Sequence, residues 1–158
     1  MGNAGEFFVL AELTRRGWTA ALTARNNRAY DILAKRGEAS AAIRVKTKGG
    51  GFSLFQWTAK PSGDVFLEMT ADRDFCVLVD IPADDGAGPT YYVLQTSIID
   101  KWLKDDFKQW VTTRGARGQQ RDASNSRRLF YVDDDSHKPG HGYRAKLTEF
   151  EGAWHLLG

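Results

Sequence analysis

The sequence predicts an α/β domain in which a mixed β-sheet is flanked by helices. Three observations predict it. Apolar residues recur at helical spacing near the N-terminus (Val9, Leu10, Leu13) and again after Ser97 (Ile98, Trp102, Leu103, Phe107, Trp110, Val111). Between and beyond these stretches lie several short runs rich in β-branched and aromatic residues, which read as strands. One of them, Phe75 to Val79, is apolar at nearly every position, as a central strand covered on both faces would be. With 158 residues, 42% of them hydrophobic, the chain can bury one core, so a single domain over residues 1–158 is expected.

The first helix opens on Asn3-Ala4-Gly5-Glu6, which has capping-box spacing. Glu6 also falls on the stripe of Val9, Leu10 and Leu13, where an inward carboxylate needs a partner. Cap and functional site carry equal weight for it. Arg15-Arg16 suit the negative helix end, and Gly17 suits the C-cap. Trp18 to Ala24 is the first strand candidate, followed by the polar loop Arg25-Asn26-Asn27-Arg28.

Next come two short β-like runs, Tyr30 to Ala34 and Ala41 to Lys46, joined by the turn-like Lys35-Arg36-Gly37-Glu38. Side chains alternate along a strand, so Arg44, Lys46 and Lys48 share one side while Ile43, Val45 and Thr47 share the other. Cations at every second position describe a charged site rather than a core. If Asp31 lies on that side of the partner strand, a carboxylate comes within reach of two or three cations.

This hairpin resembles the PD-(D/E)XK nuclease superfamily, whose motif sets an Asp at the start of one strand and an acidic or amide residue, any residue, then Lys on the next. Asp31 takes the Asp position and Lys46 the Lys position. The helix carrying Glu6 is similar to the one that precedes the hairpin in many members. The resemblance covers about the first third of the chain and implies a restriction-endonuclease-like core. It further implies Asp31, Lys46 and Glu6 as catalytic residues, with Mg²⁺ or Mn²⁺ held weakly by Asp31, Glu6 and the backbone carbonyl of Val45. Arg44 stands where the family has Glu or Gln. A guanidinium has no lone pair to offer a metal, so Arg44 cannot be a ligand; it could pair with Asp31 or grip a phosphate. Glu68, in the crossover that follows, is the candidate for a relocated acidic ligand, with a solvent-facing Glu as the plainer alternative.

Gly49-Gly50-Gly51 would let backbone approach a ligand, but the Gly-Lys-Ser/Thr ending of a P-loop is missing. Phe52 to Thr58 is a strand candidate, Pro61 to Asp74 a helix or irregular crossover, and Asp74 to Ile81 and Thr90 to Leu94 two further strands around the loop 82–89. Ser97 can cap a helix running to about Val111. Residues 112–128 are polar and carry five arginines against Asp122, which predicts a mobile basic loop. Leu129 to Val132 reads as a last strand. The run Asp133-Asp134-Asp135-Ser136-His137-Lys138-Pro139-Gly140-His141 offers metal-binding side chains, but no regular spacing fixes them, and an acidic surface loop is the better reading. Thr148 to Glu151 has capping-box spacing before a short helix through Leu157.

Charge adds a partner class. The chain is only +2 overall, yet residues 1–60 hold ten Lys/Arg against four acids, a net +6 that leaves −4 for the remainder. The basic part contains the hairpin. Such asymmetry suits a polyanion-binding face, with solvated surface charge an alternative of equal weight; by the resemblance the partner is DNA, contacted by Arg25, Arg28, Arg44, Lys48, Arg114, Arg117 and Arg121. A homodimer is a further arrangement left open. Cys76 is the only cysteine and sits in an apolar run, which excludes an intrachain disulfide. No apolar run approaches membrane-spanning length, the start lacks a signal-peptide pattern, and Glu6 replaces the Ser or Thr of a myristoylation signal; a soluble cytoplasmic protein is expected. Three functions follow: a metal-dependent DNA endonuclease, an inactive nucleic-acid-binding module of nuclease fold, or a protein-partner-binding domain.

Overall fold

The computed structural model describes residues 2–24, 27–84, 86–132 and 137–158. The elements run α1 (Gly2–Arg15), β1 (Thr19–Leu22), β2 (Ile32–Arg36), β3 (Ala39–Gly49), β4 (Leu54–Thr58), β5 (Asp74–Ile81), β6 (Thr90–Gln95), α2 (Thr96–Thr112), β7 (Arg127–Tyr131) and α3 (Tyr143–Leu147). Two 3₁₀ turns, Thr148–Phe150 and Trp154–Leu157, follow. Five strands form one sheet in the order β1-β2-β3-β5-β6. The β3/β5 pair is parallel and the other three pairs are antiparallel, so the sheet is mixed.

Alternation along β3 and β5 divides the core into two layers. Ile43, Phe75, Val77 and Val79 meet Val9 and Leu13 of α1 and Trp154 and Leu157 of the last turn. Cys76 and Leu78 face the other way, toward Ile99 and Leu103 of α2 and Phe55, Trp57 and Phe130. This explains the unbroken apolar run of β5: both of its faces are covered. Full burial of each large side chain stabilises by about 2–3 kcal/mol.

β4 and β7 do not join the main sheet. They pair with each other as a two-stranded ribbon laid over the second layer. Their sequences alternate as strands should, but alternation does not say which sheet a strand enters. The crossover Pro61 to Asp74 is irregular rather than helical, though Phe66 and Met69 are buried in it. Helix boundaries also shift. Asn3 already lies within α1 rather than capping it, and α2 begins at Thr96, whose hydroxyl donates to the carbonyls of Met69 (2.9 Å) and Asp74 (3.3 Å). Trp154–Leu157 is a 3₁₀ turn, not an α-helix, and α3 was not expected from the sequence. Among the described residues, no helix is long and apolar enough to cross a membrane.

Two glycines are required by close approach. A Cβ on Gly5 would lie 1.9 Å from Thr47 Oγ1, so α1 can sit this near β3 only without one. A Cβ on Gly50 would lie 2.2 Å from the Ala83 backbone nitrogen, so the approach made by Gly50 is to neighbouring backbone. Because backbone cannot step aside as a side-chain tip can, Gly50→Ala is expected to destabilise the protein by about 3 kcal/mol, with Gly51→Ala near neutral. Urea denaturation of the two variants measures the difference.

Candidate functional site

The hairpin β2/β3 builds the site. Its register pairs Ile32 with Ile43, and Asp31 N–H donates to the Ile43 carbonyl (2.9 Å), which sets Asp31 beside Arg44 at the strand end. The Asp31 carboxylate is committed twice. Oδ2 accepts the Val45 N–H at 2.7 Å, and Oδ1 lies 3.2 Å from Arg44 Nη1. That Arg44 nitrogen is buried but makes no aligned hydrogen bond, so the attraction is coulombic and the guanidinium keeps donor capacity in hand. Of the two roles open to Arg44 from its sequence position, pairing with Asp31 is the one observed.

Lys46 shares the face of Arg44, on the strand β3 whose alternate residues Ile43 and Val45 pack toward α1. It is half-buried, with Nζ 5.5 Å from the centroid of the Trp57 ring. Burial pushes its ammonium below the usual lysine range. Cys76 opposes that shift only as a thiolate, and its own burial keeps the thiol neutral. Arg44 lowers Lys46 further, and Asp31 partly offsets it.

The other sequence candidates disperse. Lys48 was expected to touch nucleic acid, but it is 6% exposed and its ammonium sits 2.6 Å from Asp80 Oδ1 on the neighbouring strand. The parallel register that pairs Lys48 with Asp80 explains how a cation is accommodated in this layer. Glu6 rides on α1, which packs on the face of β3 opposite to that of Lys46, with Gly5 against Thr47. Val45 meets Asp31 through its N–H rather than its carbonyl. Glu68 is exposed in the irregular crossover at φ 55°, and nothing brings it to Asp31. Arg28 is exposed in the loop before Asp31; Arg25 lies outside the described residues, as do residues 133–136 of the acidic run.

The basic loop converges elsewhere. Arg121 Nε donates to the Thr113 carbonyl (2.9 Å) and its guanidinium covers the Trp110 ring at 4.8 Å, while Arg114 Nη1 donates to the Gly118 carbonyl (3.0 Å). Arg117 is exposed on the turn between them, where its N–H donates to Gln119 Oε1 (3.0 Å). Arg114 and Arg121 line a pocket of about 510 Å³ between α2 and β7. Sequence reasoning missed two residues that organise this region: Trp57, beneath Lys46, and Arg128, buried on β7 and directly opposite Trp57 in the ribbon. Alternation with Phe130 was the available sign that Arg128 turns inward.

As they stand, these donors do not fit a Mg²⁺ ion. Such an ion needs several oxygen ligands. The structure offers one carboxylate, already held by a backbone N–H and a guanidinium, and among the described residues no group of three or more His, Cys, Asp or Glu converges. What the face presents instead is a guanidinium and an ammonium side by side, the pairing that binds phosphate oxygens.

No protein-family model and no curated protein matches the sequence. Among solved structures, the chain is similar to a bacterial homing endonuclease, I-Ssp6803I, at 14% identity and a TM-score of 0.50, covering 99% of this chain and 87% of that one. It also aligns with Hjc, a Holliday junction resolvase from the archaeal hyperthermophile Archaeoglobus fulgidus, at 16% identity and a TM-score of 0.40, over 61% of this chain and 74% of that one. The likeness to the homing endonuclease shows that the mixed-sheet domain shares that protein's fold.

Proposed function

We propose that the protein binds the phosphodiester backbone of DNA on the β3 face that carries Arg44 and Lys46, and that a metal ion is not needed to hold it there. The observation that carries this reading is the Asp31–Arg44 pair. It keeps a guanidinium oriented at the strand end and ties up the carboxylate that a metal would require. A phosphate competes with Asp31 for Arg44, because the guanidinium fork matches phosphate as well as carboxylate. Lys46 supplies a second cation on the same face, and its desolvation strengthens the attraction to an anion that displaces water.

The test is fluorescence anisotropy with duplex DNA in EDTA over a range of salt. Affinity should fall linearly on a log–log plot, and the double variant Arg44→Ala/Lys46→Ala should lower the slope by about 2. Failure of the wild type to bind DNA in EDTA defeats the reading.

A second reading, Mg²⁺- or Mn²⁺-dependent hydrolysis of DNA, is favoured by one observation: a lysine held below its usual pKa on the face of Asp31. On this reading the Asp31–Arg44 pair opens before Asp31 acts, and Glu6, on the opposite face of the sheet, takes no part. Incubating plasmid with the protein and either metal tests it, and equal cleavage by wild type and Lys46→Ala rules out this site.

A further inference from the structure

The pocket between the second half of α2 and β7 has a composition that plain electrostatic binding does not require. Among the described residues its cations are Arg114, Arg121, Arg127, Arg128 and Lys138, and its carboxylate is that of Asp106. Duplex backbone binding needs only such cations on an open surface. Here they surround a concavity of about 510 Å³, within the range that holds a small ligand.

Its walls are also aromatic. Phe107 and Trp110 stack on each other with centroids 5.5 Å apart and 20° between planes, and across the pocket Tyr131 and His141 stack at 4.1 Å and 1°. Guanidinium planes lie on two of these rings: Arg128 at 3.4 Å from the Phe107 centroid and Arg121 at 4.8 Å from that of Trp110. A flat π-system can continue such a stack on either an aromatic or a guanidinium face.

Two charged side chains of the pocket each bury one atom that makes no hydrogen bond. Arg128 is 6% exposed and its Nε is buried without an acceptor, although its Nη1 donates to the Asn125 (2.7 Å) and Arg127 (3.1 Å) carbonyls. Oδ2 of Asp106 is likewise buried without a donor. Arg128 and Asp106 place a cation and a carboxylate in the wall of one pocket. The occupant these features describe is planar, anionic and bears both acceptors and donors on its rim. A nucleobase with its phosphate has each property.

We infer that this pocket receives an unpaired nucleobase and its phosphate, so that the preferred DNA carries an extrahelical nucleotide beside the backbone segment bound on β3. The inference rests on the DNA-binding reading above, and one residue pair connects the two places. Trp57, which lies under Lys46, is the register partner of Arg128. A base inside a duplex is already stacked and paired, and cannot enter; one that is already unpaired enters without that cost.

The experiment compares two hairpin DNA probes, one fully paired and one with a single extra thymine, by anisotropy in EDTA. Wild type should bind the bulged probe about tenfold more tightly. Trp110→Ala and Arg121→Gln should each bring that ratio within twofold of unity, and Trp110→Ala should leave affinity for the paired probe unchanged within twofold. Trp110→Phe, which keeps a ring, should retain the preference. Arg44→Ala/Lys46→Ala should weaken both probes and preserve the ratio, which separates this inference from the backbone-binding reading. Equal binding of the two probes by wild type overturns the inference alone. A preference that survives Arg121→Gln and Trp110→Ala also overturns it, and absence of binding to either probe overturns both.

Discussion

Arg44→Glu is expected to lower the affinity for duplex DNA about a hundredfold in EDTA and to create a site that takes up Mn²⁺. The first effect follows from reversing a charge in contact with phosphate. At about 5 Å, two unit charges interact by roughly 3 kcal/mol at an effective dielectric near 20, and salt screening removes part of that. The second follows from the position of residue 44 across from Asp31, 3.2 Å away through the present guanidinium. Two carboxylates on facing strand positions disfavour joint ionisation, which makes a divalent cation the natural counter-charge. Mn²⁺ should therefore restore part of the DNA affinity of the variant while leaving that of the wild type unchanged. Titration calorimetry for the metal, and anisotropy with and without it, read both effects. Unchanged DNA affinity in EDTA would mean that Arg44 does not touch the phosphate.

Lys46→Met is expected to weaken DNA binding about tenfold and, in the same protein, to raise thermal stability. The opposite signs come from one cause. Burial holds the folded-state pKa of Lys46 below its unfolded value, so the unfolded chain binds the proton more tightly. The resulting penalty on folding is fully present below the folded pKa and disappears as pH rises through the unfolded value of about 10.4. At neutral pH the methionine removes that penalty and keeps contact with the Trp57 ring. A rise in Tm is expected, at about 3 °C for each ~1 kcal/mol in a chain of this length. The gain should shrink as pH rises toward about 10.5 and the wild-type amine loses its proton. Loss of both binding and stability would instead mark Lys46 as a structural member of the Asp31–Arg44 cluster.

The hairpin was legible in the sequence because strand alternation is a local rule. It placed Arg44, Lys46 and Lys48 together on one side, and the turn at Lys35 to Glu38 placed Asp31 opposite Arg44. The central position of β5 was legible for a similar reason, since a strand covered on both faces has no polar side to show. What alternation cannot report is the covering of a face. Lys48 looks identical to Lys46 in sequence, and only the parallel register with β5 reveals that Asp80 neutralises it in a buried position. The same limit hid Trp57 and Arg128. Their pairing joins residues 71 positions apart, in a ribbon that leaves the main sheet altogether. Glu6 was ambiguous because helical spacing gives a face, and α1 turns that face to the side of the sheet away from Lys46.

Titration of the wild-type protein with Mn²⁺ by calorimetry, without nucleic acid, bears most directly on how residues 31, 44 and 46 are used. With the Asp31 carboxylate engaged by the Val45 N–H and the Arg44 guanidinium, no saturable heat is expected below millimolar metal. Stoichiometric uptake in the micromolar range, abolished by Asp31→Asn, would contradict that and make this face a metal centre rather than a phosphate grip.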